Sequence, residues 1–187
     1  MHIIFHVHFV LRALDQCTLG LCTVVTRVRA HDHVVDDLSS SGTELGFWKI
    51  AMRPGKPLIH GEIDGIPLLG LPGNPVSSAV CANIFLRPAI AQLSGGSYEP
   101  ELVTARLDCD LPENDRRQDY LRSTLAVDVN GNMAVEPARK QDSSMIGIYA
   151  HANALIVRPP FDPPKVAGES GRRYRHGNAA GPAAVTA

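Results

Sequence analysis

Ile66-Pro67-Leu68-Leu69-Gly70-Leu71-Pro72-Gly73-Asn74-Pro75-Val76-Ser77 is the stretch from which the rest of the chain is read. A short apolar run, strand-like in length, stops at a Gly/Pro/Asn cluster and gives way to an apolar-periodic segment. Asn is a preferred N-cap and Pro is favoured at the first helical position, so strand turns into helix at Asn74 and Pro75. Strand, glycine loop and helix start together suit an anion, because unpaired backbone N–H groups and the helix dipole face the ligand. The plainer alternative is a well-capped connection with no ligand at all. Val76, Val80, Ile84, Ile90 and Leu93 continue at helical spacing. Pro88 is expected to kink or split that helix, and Gly95-Gly96 to end it. Ser77 and Ser78 in the first turn either donate to a phosphate or serve as ordinary first-turn residues.

Upstream, Leu58–Ile63 and Ile66–Leu71 are apolar runs joined by Asp64-Gly65, a strong hairpin signal. Leu45 to Met52 reads as one strand, broken by the stiff turn Arg53-Pro54-Gly55-Lys56-Pro57. Lys49, Arg53 and Lys56 fall on or beside that turn. They are either ordinary surface charge or an oxyanion pocket in which Arg supplies a planar fork and Lys a point charge. The hairpin carries the cationic turn before its first strand and the glycine loop after its second, so both leave from the same end.

Val34, Val35 and Leu38 fit the inner face of a short helix ended by Ser39-Ser40-Ser41-Gly42. His31-Asp32-His33 at its start are consecutive, and helical neighbours lie three or four apart, so a solvated helix start is favoured over a metal cluster. Residues 1–29 sustain neither period 2 nor period 3.6. His6, His8, Arg12, Asp15 and Gln16 interrupt the apolar residues there, which argues against a membrane span, and no signal-peptide pattern is present. The segment 1–30 is therefore expected to be an unassigned extension.

After Tyr98-Glu99-Pro100 the texture changes to short alternating runs. Leu102–Leu107, Tyr120–Val129, Met133–Val135 and Ala154–Val157 read as strands, with a turn at Asn130-Gly131-Asn132. A small all-β module of roughly 60 residues results, near the lower limit for folding alone. Arg122 lies within one of its strands and Ser143 in the polar loop Gln141-Asp142-Ser143-Ser144; each alone reads as a surface residue. From about Gly168 the chain is rich in Gly, Ala and Arg without apolar period, and residues 168–187 are expected to be a disordered tail.

The 187 residues suffice for one medium or two small domains, and 44% hydrophobic with 20% charged content is that of an ordinary globular protein. A formal net charge of −1 offers no global attraction to nucleic acid or an anionic membrane, and neither is expected as a partner. An anionic ligand must be held by a local site. Cys17, Cys22, Cys81 and Cys109 are scattered, which suits free thiols in a reducing cytoplasm.

Phe47-Trp48-Lys49-Ile50-Ala51-Met52-Arg53-Pro54-Gly55-Lys56-Pro57, followed by Gly70-Leu71-Pro72-Gly73-Asn74-Pro75-Val76-Ser77, resembles the molybdopterin molybdenumtransferase family, the MoeA proteins and the E domain of gephyrin. Arg117-Gln118-Asp119-Tyr120-Leu121-Arg122 and Ala152-Asn153-Ala154-Leu155 resemble the family's C-terminal domain, and the likeness runs from His31 to Ala167. The resemblance implies an α/β fold: the C-terminal part of a three-layer molybdopterin-binding α/β domain (31–98), then a small all-β, barrel-like domain (101–167). It implies a reaction that inserts molybdate into adenylyl-molybdopterin with release of AMP and a requirement for Mg²⁺, in a cytoplasmic homodimer. Carried over by motif, Lys49 and Arg53 would hold oxyanions; Pro72, Gly73, Asn74, Pro75 and Ser77, with Lys56, would form the cofactor loop; Asp32 would serve the metal or molybdate. Arg122, with a catalytic role, and Ser143, on the cofactor side, match functional positions of the C-terminal domain, which in the family faces the partner subunit's cleft. The family's Gly-Gly-x-Ser-x-Gly loop is replaced by Thr26-Arg27-Val28-Arg29-Ala30, so residues 1–30 are expected to be an unrelated or frame-shifted start. A truncated chain with weak or no turnover is the resulting expectation, and a non-catalytic molybdopterin-binding or partner-binding module is the alternative.

Overall fold

The computed structural model describes residues 19–24, 38–40 and 42–175. The described chain forms two compact units. The first takes residues up to 50 and 55–98; the second takes 51–54 and everything from 99 onward.

The first unit is built on a four-stranded mixed sheet. Its strands are β1 (Gly20–Val24), β2 (Glu44–Phe47), β4 (Ile59–Ile63) and β5 (Ile66–Pro72), in the order β1-β5-β4-β2. The β4–β5 hairpin forms where Asp64-Gly65 predicts it: Ile63 stands opposite Ile66, and both turn residues have positive φ, 50° and 79°. A two-residue turn with that backbone twist matches the twist of its strands, and Asp-Gly is among the few pairs that adopt it without strain. Ile59, Gly61 and Ile63 point inward while His60 and Glu62 are exposed, and Leu68 to Pro72 are all buried. Leu38, Ile59, Ile63 and Leu68 make the core cluster, with Leu45, Trp48 and Ile66 packed against it.

β5 runs into α1 (Pro75–Cys81), which packs on β5 and buries Val76, Val80 and Cys81. Pro88 does not end the helical run, which continues to Leu93, but the α-helix is interrupted before it. The residues before it, Ala82–Leu86, widen into a π-helical turn in which Arg87 N–H donates to Ala82 O, and α2 (Arg87–Leu93) continues. Widening the turn accommodates a residue that lacks an N–H and whose ring would clash with the carbonyl one α-turn back.

The expected strand from Leu45 to Met52 is two strands in two sheets. β2 carries a register shift between Leu45 and Phe47 in its pairing with β4, then ends. Met52–Arg53 forms β3 and pairs parallel with the second unit. A second correction concerns residues 20–24. They are no loose extension, because β1 pairs parallel with β5 from Gly20 opposite Leu68 to Val24 opposite Pro72.

The second unit is a closed β-structure with six strands. Besides β3 it contains β6 (Leu102–Leu107), β7 (Gln118–Val127), β8 (Met133–Pro137), β9 (Ala154–Arg158) and β10 (Ser170–Arg175). Pairings run β7-β8-β6-β10-β9 and return from β9 to β7, closing a barrel to which β3 adds at the start of β7. Closure leaves few open edges, which is how a module of this size covers its backbone polar groups. Ala105, Leu107, Leu125, Val135, Ala154 and Ile156 fill the interior. The expected disordered tail is therefore corrected over Ser170–Arg175. That segment lies between β6 and β9, with Gly171 opposite Ala105 and Tyr174 opposite Leu155. Its Gly- and Arg-rich composition hid a strand whose main ladder partner, β6, lies far upstream, beyond any local periodicity. A short helix, α3 (Ile146–His151), joins β8 to β9.

Candidate functional site

The sequence-marked residues divide between the two units. Lys49, Lys56, Pro72, Gly73, Asn74, Pro75 and Ser77 are in the first; Arg53, Arg122 and Ser143 are in the second. Asp32 lies outside the described residues.

In the first unit the antiparallel register puts Ile59 opposite Gly70, so Lys56 and Gly73 leave the hairpin from the same end, as expected. Ile50 N–H donates to Lys56 O at 3.1 Å and closes the base of the turn. Lys49 Nζ stands 3.4 Å above the Trp48 ring centroid, a cation–π contact that restrains an otherwise exposed ammonium. At the helix start, Asn74 Oδ1 accepts from Val76 N at 3.2 Å and Ser77 N at 3.3 Å, and Asn74 O accepts from Ser78 N at 2.8 Å. Pro75 has no N–H to offer. The N-cap expected at Asn74 is formed, and it takes up the Val76 and Ser77 amides, as in the plainer reading of a well-capped connection. Local polar side chains compete with ligands for the same orphan groups.

In the second unit Arg53 stands opposite Asp119 in the β3–β7 pair, and its Nη2 donates to Asp119 Oδ2. Arg53 Nη1 lies 3.6 Å from Asp115 Oδ2. Arg117 binds the same Asp115, with Nη2 at 2.6 Å from Oδ2. The Arg117 side chain and amide, with the charge of Arg53, hold the Asp115 carboxyl down at about 2. Asp119 is buried, and its second oxygen, Oδ1, has no hydrogen-bond partner among the described residues. Arg53 therefore neutralises a buried carboxylate as well as presenting a cation.

Arg122 differs. It is 1% exposed and makes no ion pair among the described residues. Its Nε donates to Gln141 Oε1 at 3.1 Å and its Nη1 to the Asp142 carbonyl at 2.9 Å, while Nη2 makes no hydrogen bond among the described residues. Burial pushes the guanidinium below its ordinary value, with Asp142 pushing back. Asp142 Oδ1 accepts from the Ser144 amide and hydroxyl, each at 2.8 Å. Those bonds and the charge of Arg122 hold the Asp142 carboxyl below its ordinary value. The loop so fixed carries Ser143, so the structure brings Arg122 and the Ser143 loop together although they are remote in sequence.

Gln141 was not marked by the sequence reading, yet its amide is the hub of this cluster. Its neighbours Asp142, Ser143 and Ser144 signal a polar turn, but nothing local points a glutamine back at Arg122. A buried guanidinium that no carboxylate contacts directly, with Asp142 acting on it only through its charge, is costly unless a further anion is supplied. The cluster is suited to receiving an oxyanion. For Mg²⁺ the fit is poor, since among the described residues no group of three or more His, Cys, Asp or Glu converges on one point.

Residues 11–92 match the family model described as a probable molybdopterin binding domain, and residues 104–170 match that of the MoeA C-terminal region (domain IV). The first match starts well upstream of His31, which overturns the expectation of an unrelated start for residues 11–30. A molybdopterin molybdenumtransferase of Nostoc sp. is 34% identical over 155 residues, 79% of this chain and 35% of that protein. One from Haemophilus influenzae is 32% identical over 116 residues, 61% of this chain and 29% of that protein. The chain spans 29% to 36% of the length of such curated relatives. A crystal structure of a molybdopterin biosynthesis MoeA protein from Pyrococcus horikosii superposes with a TM-score of 0.71 at 21% identity, covering 90% of this chain and 39% of that one. A molybdenum cofactor biosynthesis protein from Pyrococcus furiosus gives 0.66 at 22% identity, covering 88% and 51%. At these identities the structural likeness is one of fold.

Proposed function

We propose, from the premise that the chain belongs to the molybdopterin molybdenumtransferase family, that it takes part in inserting molybdate into adenylyl-molybdopterin with release of AMP. The observation that carries the reading is Arg122, a buried guanidinium that no carboxylate contacts directly, Asp142 acting on it only through its charge, and whose Nη2 is unused among the described residues. A fixed cation of this kind binds an oxyanion at low entropic cost. In this reading Arg122 and Ser143 hold an anionic group at the second unit. Lys49 and Arg53 supply further positive charge, Arg53 only so far as Asp119 and Asp115 leave it. Pro72, Gly73, Asn74, Pro75 and Ser77, with Lys56, shape the loop on the cofactor side. Because Asn74 caps that helix, the loop contributes shape and the Lys56 charge rather than free amides. Asp32, which the same reading assigns to a metal or to molybdate, completes the set, with a cytoplasmic homodimer as the working state.

Purified chain is mixed with adenylyl-molybdopterin, molybdate and Mg²⁺, and AMP is measured. The expected result is molybdate-dependent AMP release that is abolished by Arg122→Ala. AMP release equal in the variant and the parent removes Arg122 from the reaction. A second reading, binding of molybdopterin without turnover, is favoured by the likeness of residues 11–92 to a probable molybdopterin binding domain. Tight binding of adenylyl-molybdopterin with no AMP at any molybdate concentration selects it.

A further inference from the structure

On one side, β7 is covered by β3 at Gln118 and Asp119 and by β8 from Ser123 onward. Arg122 falls between them: its carbonyl accepts from Ala138 N at 2.8 Å, which leaves a gap at its amide. The Gln141 side chain fills it as a strand would: Oε1 accepts from Arg122 N at 3.0 Å, and Nε2 donates to Arg122 O at 2.9 Å. The same Oε1 accepts from Arg122 Nε at 3.1 Å, and the same Nε2 donates to Ala138 O at 2.9 Å. Both lone pairs and both amide hydrogens are in use, so the amide can be seated in only one orientation. One planar group thus ties the backbone of Arg122 to its own guanidinium, with the Asp142 carbonyl as the second stop on Nη1.

We propose that Gln141 is the positioning residue of the anion site: it locks the Arg122 side chain so that Nη2 is the edge presented to an oxyanion. The proposal rests on the reading of Arg122 given above. It adds that anion affinity depends on a neutral amide at position 141. Glutamate there keeps the acceptor for Arg122 N and Nε but neutralises the guanidinium; leucine fills the space and keeps neither bond. A residue that merely supported the fold would change stability in both variants without separating the orientation of Arg122 from its charge.

The test uses the full chain, with the Arg122 Nε–H resonance assigned by its absence in R122K. Its hydrogen exchange and its shift on adding molybdate are recorded for the parent, Gln141→Leu and Gln141→Glu, with thermal unfolding alongside. Slow exchange is expected in the parent and in Q141E. In Q141L it accelerates by about tenfold or more, the equivalent of a lost hydrogen bond to a charged group. Molybdate affinity is expected to fall in both variants. Exchange in Q141L as slow as in the parent, or parental molybdate affinity in either variant, overturns the proposal. Should Q141L fail to fold, fast exchange in Q141E does so alone. A parent with slow exchange and no response to molybdate sinks the reading of Arg122 as an anion ligand, and the exchange data still decide whether Gln141 holds it.

Discussion

Arg53 and Asp119 face each other across the parallel pair of β3 and β7, and the guanidinium Nη2 donates to the carboxylate Oδ2. The arginine is half exposed and the aspartate 3% exposed at its side chain, so the pair is asymmetric: the cation can do without the carboxylate, but not the reverse. Arg53→Ala leaves a buried carboxylate with both oxygens unpaired. A loss of about 2–3 kcal/mol is expected, within the range for leaving a buried charged group unsatisfied. Urea unfolding monitors it, and Arg53→Ala combined with Asp119→Ala should cost less than Arg53→Ala alone. A double variant as damaged as the sum of the singles removes the pairing from the explanation.

Asp115 titrates at about 2 when folded, below the ordinary 3.8, because Arg117 and then Arg53 favour its charged form. A depressed folded pKa contributes stability that is present above the unfolded value and is lost as pH falls from near 4 through about 2. Asp115→Asn should therefore flatten the stability profile in that window and leave it unchanged at pH 7 relative to pH 5. Because the carboxylate is exposed, the difference should shrink in 1 M salt, by the screening expected at about that ionic strength.

Asn74→Ala removes the acceptor for Val76 N and Ser77 N. Loss of an N-cap costs about 1 kcal/mol, and Asn74→Ser should recover most of it. The same substitution releases two amides at the helix start, so sulfate should stabilise Asn74→Ala more than the parent in thermal unfolding. Equal stabilisation of the two proteins would mean that Asn74 does not stand between that helix start and an anion.

Gly61 and Gly46 look interchangeable in sequence but have different neighbours. A Cβ at Gly61 would lie 2.7 Å from the Glu44 carbonyl oxygen, whereas one at Gly46 would lie 2.9 Å from His60 Nδ1. Backbone in a paired strand cannot step aside; an imidazole on the exposed face can. Gly61→Ala is expected to cost about 2 kcal/mol or more, as overpacking does, and Gly46→Ala about half as much. Chemical denaturation of the two variants ranks them, and the opposite order would contradict the β2–β4 pairing.

Much was legible where the information is local. Asp64-Gly65 announces a turn because few residue pairs accept two positive φ angles in a row, and the two apolar runs beside it have no other way to pair so cheaply. Asn74-Pro75 marks the helix start for equally local reasons. The alternating runs after Tyr98 announce a β module. Less legible were β1 and β10, whose composition lacks a clean period. Their place is set by ladders to β5 and β6 far along the chain.

By itself the sequence determined the hairpin, the capped helix that follows it, the change to a β-rich second half and the two motifs that mark the family, since each rests on backbone preferences spanning only a few residues. Tertiary structure decided what the charged residues are for. It placed Met52-Arg53 in the second unit, while Lys49 and Lys56 belong to the first. It gave Arg53 a buried aspartate to neutralise, and it closed the amides at Asn74. It left Arg122 buried with no carboxylate bonded to it and set Gln141 upon it. Burial and pairing depend on which strands become neighbours, and the energy of a charge is set by those neighbours rather than by its position in the chain.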